Sequence, residues 1–140
     1  MRFTIFADGG ARGNPGPAGA GAVVRNKAGK TVGTVSEFLG HQTNNFAEYE
    51  AVIGAFEILE KLVPQTKRKE TEIMVKMDSM LVVKQMMGEW KVKHPNMKPQ
   101  HARLCALADM FGKVSFAHIY REENTDADAL ANDAMDRGAN

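Results

Sequence analysis

The chain is short of the residues and patterns that would place it in several large classes of protein. Its one cysteine, Cys105, excludes an internal disulfide and fits a reducing compartment. Cys105 lies in an apolar helical pattern and reads as core packing. No apolar run is long enough to span a bilayer, and the first residues enter a strand without an apolar signal region, so a soluble, unexported, cytoplasmic protein is expected. The histidines His41, His94, His101 and His118 lack the spacing of a zinc site and have no cysteine partners. Internal repeats, linkers and low-complexity tracts are missing as well. With 140 residues, 44% of them hydrophobic, the chain has the size of one domain, residues 1–140, and enough apolar material for one core.

Net charge is scarce too, at a formal +1, but the average hides a separation. Between Lys84 and Arg103 the basic residues Lys84, Lys91, Lys93, Lys98 and Arg103 face a lone acid, Glu89, a balance of about +4. From Glu122 to Asp136 the acids Glu122, Glu123, Asp126, Asp128, Asp133 and Asp136 stand with no Lys or Arg, about −6. The first region suits a polyanion and the second suits cations.

What is present begins with Phe3-Thr4-Ile5-Phe6-Ala7-Asp8, an apolar run of strand length that ends in a carboxylate. Gly9-Gly10 and the loop Gly13-Asn14-Pro15-Gly16-Pro17 follow, a backbone that can approach a ligand closely. Asp8 is therefore expected at a strand end, although Asp before Gly-Gly is also ordinary turn chemistry. Ala18 to Arg25 and Thr31 to Leu39 read as the second and third strands of an antiparallel meander, and the small residues of the second imply something packed close against it.

Gln42-Thr43-Asn44-Asn45 offers N-cap residues for a helix that runs to about Val63 and stops at Pro64. Stepping back four residues from Val52, on the apolar stripe with Phe56 and Leu59, lands on Glu48. An ionised Glu on a buried stripe is costly unless paired or metal-bound. Its placement near the helix N-terminus explains its position but not its direction. The basic loop Lys67-Arg68-Lys69 reads as a solvated connector. A strand over Ile73 to Met77 ends at Asp78-Ser79, and Met80 to Met87 reads as a short helix. Two neighbouring parallel strands ending in this way would bring Asp8 and Asp78 together at the C-terminal edge of a sheet, where open α/β sheets place their ligands.

Gly88 to Pro95 is a basic connection carrying the sole tryptophan, Trp90, with Lys91 and Lys93. Basic residues around an aromatic fit tracking and stacking on nucleic acid, while a lone Trp is as often a core anchor. Pro99 to Phe111 reads as a helix, Val114 to Tyr120 as the last strand, and Asp126 to Met135 as the last helix, capped by Thr125 or Asp126. Asp128 falls in that helix's first turn, and Ala131, Asn132 and Met135 share its face.

The pattern resembles type 1 ribonuclease H. The resemblance rests on Asp8-Gly9-Gly10 with Gly13-Asn14-Pro15-Gly16-Pro17, Thr43-Asn44-Asn45 with Glu48, Asp78-Ser79, and Asn124 with Ala127-Asp128-Ala129-Leu130-Ala131. These stand in the family's order and spacing over essentially the whole chain. The resemblance implies an α/β fold with a five-stranded mixed sheet, an antiparallel meander of the first three strands plus parallel strands four and five, flanked by helices. It implies an endonuclease that cuts the RNA strand of RNA/DNA hybrids with two Mg²⁺ ions, leaving 5′-phosphate and 3′-hydroxyl ends. By the same resemblance Asp8, Glu48, Asp78 and Asp128 are metal ligands, and Gly9, Gly10, Asn14, Thr43, Asn44 and Asn45 meet the hybrid.

Elementary chemistry fits that assignment. Carboxylates within about 5 Å repel by about 3 kcal/mol per pair at an effective dielectric of 20, and without cations some take up protons. An all-oxygen donor set selects Mg²⁺ or Mn²⁺ over zinc. Two departures from the family's well-studied bacterial enzymes are visible. Arg121 stands where they carry a histidine before the last helix, and an arginine there can hold a phosphate but not shuttle protons. Gly88 to Pro99 is short where they have an extended basic protrusion, so Trp90, Lys91 and Lys93 are expected to compensate. A monomer is expected, with double-stranded RNA left open as a second substrate. Two rival readings stand beside the nuclease: a non-catalytic hybrid-binding module, and a nuclease of the same superfold acting on DNA junctions or integration ends.

Overall fold

A computed structural model describes residues 1–138. Five strands form one mixed sheet in the order β3-β2-β1-β4-β5. Strand β1 spans Arg2–Ala11, β2 Gly16–Asn26 and β3 Thr31–Gln42, an antiparallel meander. Strand β4 (Glu72–Met77) lies parallel to β1, and β5 (Lys113–His118) lies parallel to β4. The expected topology therefore stands, including the parallel neighbours that carry Asp8 and Asp78.

The helices divide between the two faces of this sheet. Helix α1 (Asn44–Leu62) starts where the Thr43 hydroxyl accepts the Phe46 N–H, and it ends just before Pro64. It packs on β1 and β2 and buries Tyr49, Val52, Phe56 and Leu59. Helix α3 (Lys98–Ala108) lies against α1 and contributes Leu104 and Leu107 to the same core. Helix α2 (Met80–Met86), capped by Ser79, adds Val82 and Val83. Helix α4 (Thr125–Gly138) covers β2, β3 and part of β1.

Strand β2 explains its own composition in this arrangement. Helices press on both of its faces, so its inward positions shrink to alanine and glycine. A Cβ at Gly21 would collide with the Ala127 carbonyl and the Ala131 N–H of α4. Its neighbour across the ladder is Asp8, which therefore shares the α4 face. Gly9 faces the other way, and a Cβ there would run into the Ala47 carbonyl and the Glu48 N–H of α1.

Four expectations need correction. Strand β1 does not end at Asp8: its pairing with β4 stops at Ala7, while its pairing with β2 continues to Ala11. Asp8 sits at this fork because β2 supplies hydrogen-bonding partners across the glycines after β4 has turned away. Cys105 is half-buried rather than a core residue, and it lines an open groove beside α2 and β5 with Met86, Met87 and Phe116. Lys67-Arg68-Lys69 is not a free connector but part of a 3₁₀ turn over Gln65–Glu70, in which Arg68 donates to the Glu60 carbonyl and Lys69 to that of Asp109. Finally, β5 stops at His118, and Arg121–Glu123 forms a second 3₁₀ turn leading into α4. Among the described residues no helix is long and apolar enough to cross a membrane.

Candidate active site

The sheet edge where β1 and β4 part company gathers acids from both layers. Asp8 comes from β1, Asp78 follows β4 directly, and Glu48 leans in from the first turns of α1. One oxygen from each of these carboxylates lies within 4.8 Å of the other two. Asp128, in the first turn of α4, lines a cavity of about 510 Å³ together with Asp8 and Glu48. It is not one of the mutually close three, yet it acts on Asp8 through its charge and through side-chain hydrogen bonding. Gly9 lets Glu48 approach, since its missing side chain leaves room for the α1 backbone.

The electrostatics of this pocket are unfavourable without a cation. Asp8 is only 5% exposed, and burial, then the charges of Asp78 and Asp128, push its carboxyl up to about 8. Burial and the Asp8 and Asp78 charges also raise Glu48 well above the usual range, and its Oε2 is buried with no hydrogen-bond partner. The Gly9 N–H, donating to Asp8 at 2.9 Å, works weakly the other way. Asp78 keeps an opening to solvent, its side chain 14% exposed, with the Arg121 guanidinium 3.7 Å away. Arg121 is 80% exposed and lines the cavity, and its charge offsets only part of the rise at Glu48.

The residues expected to meet substrate fall into two groups. Asn14, Thr43, Asn44 and Asn45 sit together beside the acids. The Asn14 carboxamide accepts the Asn44 N–H at 3.1 Å, and the Asn44 carboxamide accepts the Ala11 N–H at 2.7 Å. Asn14, Thr43 and Asn45 line a neighbouring cleft of about 520 Å³. Gly9 and Gly10 line the acidic cavity itself. Trp90, Lys91 and Lys93 stand apart from both, exposed on the irregular connection between α2 and α3, with Trp90 at 48%.

Other residues of the site were given no role by the sequence. Asn124, buried ahead of α4, donates to the Ala7 carbonyl at 2.8 Å and reaches Asp78 Oδ1 at 3.5 Å, tying the two acid-bearing strands together. Arg12 pairs with Asp136 and, with Asn132, lines the acidic cavity. His94, whose spacing argued only against a zinc site, lines the second cleft along with Asn96. An asparagine four residues ahead of Asp128 was the one local signal; the others depend on contacts across the fold.

A reverse transcriptase-like family model matches residues 6–134. The chain is 47% identical over 140 residues to the bifunctional protein Rv2228c of Mycobacterium tuberculosis, a match covering 99% of this chain and 37% of that one. It therefore spans little more than a third of the length of the mycobacterial relatives it matches. It is 37% identical over 135 residues to ribonuclease HI of Halobacterium salinarum, covering 96% of this chain and 65% of that one. Among solved structures, LC11-RNase H1 in complex with an RNA/DNA hybrid superposes with a TM-score of 0.88 at 43% identity, covering 99% of each chain. Sheet order, the acids at the fork of β1 and near-complete coverage of solved relatives agree: this chain belongs to the type 1 ribonuclease H family.

Proposed function

We propose that residues 1–140 form one catalytic domain that hydrolyses the RNA strand of RNA/DNA hybrids, leaving 5′-phosphate and 3′-hydroxyl ends. The observation that carries this reading is the convergence of Asp8, Glu48 and Asp78, with Asp128 beside Asp8 on the α4 side. The donor set fits hard divalent cations: it is all oxygen, it holds an unpartnered buried Glu48 oxygen, and burial with mutual repulsion raises the proton affinity of its Asp8 and Glu48 carboxyls, a penalty that a cation relieves. Two Mg²⁺ ions, or Mn²⁺ in their place, supply Lewis acidity for in-line displacement of the leaving 3′-oxygen by water.

The chain's own residues do the rest. Asp8, buried and central, and Glu48, held against it by α1, form the fixed floor of the site; Asp78 and Asp128 provide the walls. Arg121, at the entrance beside Asp78, holds a non-bridging phosphate oxygen or draws the product phosphate away. Asn14, Thr43, Asn44 and Asn45, with the backbone at Gly9 and Gly10, offer short polar groups to a wide, shallow minor groove. Contacts there with 2′-hydroxyls distinguish the strand to be cut and leave base sequence largely unread. Trp90, Lys91 and Lys93 track the phosphate backbone farther along the duplex.

A substrate panel tests the proposal. End-labelled RNA/DNA hybrid, double-stranded RNA and double-stranded DNA are each incubated with the protein in Mg²⁺, Mn²⁺ or EDTA. Internal cuts in the RNA of the hybrid that vanish in EDTA are expected. Retention of the hybrid without cutting would make this a binding module, and cutting of an all-DNA substrate would point to the other nucleases of the superfold.

A further inference from the structure

The connection between α2 and α3, residues 87–97, contains no helix or strand, yet two buried glutamines hold both of its ends. At the front, Gln85 is 4% exposed. Its Oε1 accepts the hydroxyl of the fully buried Tyr49, and its Nε2 donates to the Lys91 carbonyl at 3.4 Å. Lys84 reinforces this end, its carbonyl accepting the N–H groups of Glu89 and Trp90 and its ammonium pairing with Glu89 at 3.0 Å. At the rear, Gln100 Nε2 donates to the Phe46 carbonyl and to Glu50 Oε1, each at 3.0 Å. Both fastenings lead to α1, the helix that carries Glu48.

These bonds are not needed to fill the core. A Met or Leu at position 85 would occupy similar space without placing an amide in an apolar setting, where polar groups cost free energy unless they are hydrogen-bonded. Burial also raises the pKa of the Tyr49 hydroxyl, so it remains a donor at any working pH. What the Gln85 amide reaches is the backbone of a lysine whose side chain, with that of Lys93, stands in solvent.

We infer that Gln85 and Tyr49 are positioning residues that fasten the basic segment Trp90–Lys93 to α1, holding Lys91 and Lys93 in fixed register with the carboxylate cavity for the phosphates of the bound duplex. The inference rests on the reading of Lys91 and Lys93 as backbone contacts and deepens it. A short protrusion has few cations with which to grip a polyanion. Fixing their positions lowers the ordering cost of each contact.

A cycle of variants tests this, using a fluorescein-labelled RNA/DNA hybrid with the dissociation constant read by anisotropy in EDTA, and KM and kcat read in Mg²⁺. Lys91→Ala/Lys93→Ala is expected to weaken binding and to reduce the slope of log Kd against log salt by about one per lysine. Gln85→Met is expected to raise Kd and KM by about fivefold, one hydrogen bond's worth, with kcat held. Tyr49→Phe, the milder change, should move in the same direction by less. In the background lacking both lysines, Gln85→Met should have no further effect on Kd, because the groups it positions are gone. The inference is overturned if Gln85→Met binds like the parent, or if it weakens binding equally with and without the lysines. It is also overturned if the lysine pair itself proves silent, a result that would leave hydrolysis of the hybrid untouched. Melting temperatures of each variant separate loss of fold from loss of register.

Discussion

Asp8 shows how much a single side chain is asked to do. It is almost fully buried, and its proton affinity is set by burial first and by its neighbours' charges second. Replacing it by asparagine keeps the shape and removes the charge. Loss of an outer-shell partner alone costs a metal site about 10–100-fold, so Asp8→Asn or Asp78→Asn should lower kcat by more than about 100-fold. Hybrid binding should survive, and substantial residual cleavage in either variant would mean that the ligand assignment is wrong. The sign of the pH effect follows from the same carboxyl. Its ordinary value of 3.8 rises to about 8 on folding, so between those values the folded state binds more protons than the unfolded one. The metal-free protein should therefore lose stability as pH climbs from about 4 through about 8. A cation competes with that proton, so Mg²⁺ should reverse the trend, binding more tightly at higher pH and releasing protons as it binds. Melting curves in EDTA and in Mg²⁺ across this range would check both, and parallel curves would contradict them. Asp8, Glu48, Asp78 and Asp128 were legible because each interrupts an apolar pattern. The roles of Gln85 and of Asn124, the latter visible only as part of the family pattern, were not, because an amide on a buried face gains meaning only from a partner far away in sequence.

Among the elements, β2 sets the tightest tolerances. Gly21 lies beneath the start of α4, and any side chain there must push the helix outward. Gly21→Ala should destabilise the protein by about 1–3 kcal/mol, as overpacking generally does. It should also lower kcat beyond what the loss of folded protein explains, because Asp128 rides on the displaced helix. Denaturant unfolding beside single-turnover cleavage would separate the two effects, and an unchanged rate in the folded fraction would show that α4 accommodates the methyl elsewhere. The elements themselves could be read from the chain because their punctuation is local: Thr43 among the cap residues ahead of α1, Pro64 as its stop, and Thr125 at the start of α4. Their ends were harder. Continuation of β1 past Asp8 depends on which neighbour it still pairs with, and nothing within Asp8-Gly9-Gly10 announces that β2 is there.

The molecule as a whole is held apart at one place, where acids from two strands and from helices on opposite faces of the sheet converge. A ligand that binds only the folded state stabilises it by mass action, about 2.7 kcal/mol at a hundred times its dissociation constant. Saturating Mg²⁺ or Mn²⁺ should therefore raise the melting temperature by several degrees, and Asp8→Asn should abolish most of the gain. Calorimetry with and without metal would decide, and an equal shift in both proteins would place the cation elsewhere. The fork of β1 carries a last implication. Since β1, α1, the end of β4 and α4 must all be docked before the four acids meet, a clipped or half-folded copy has no partial pocket to fall back on. The metal-binding capacity proposed for this pocket is thereby tied to complete assembly of the sheet with the helices on both of its faces.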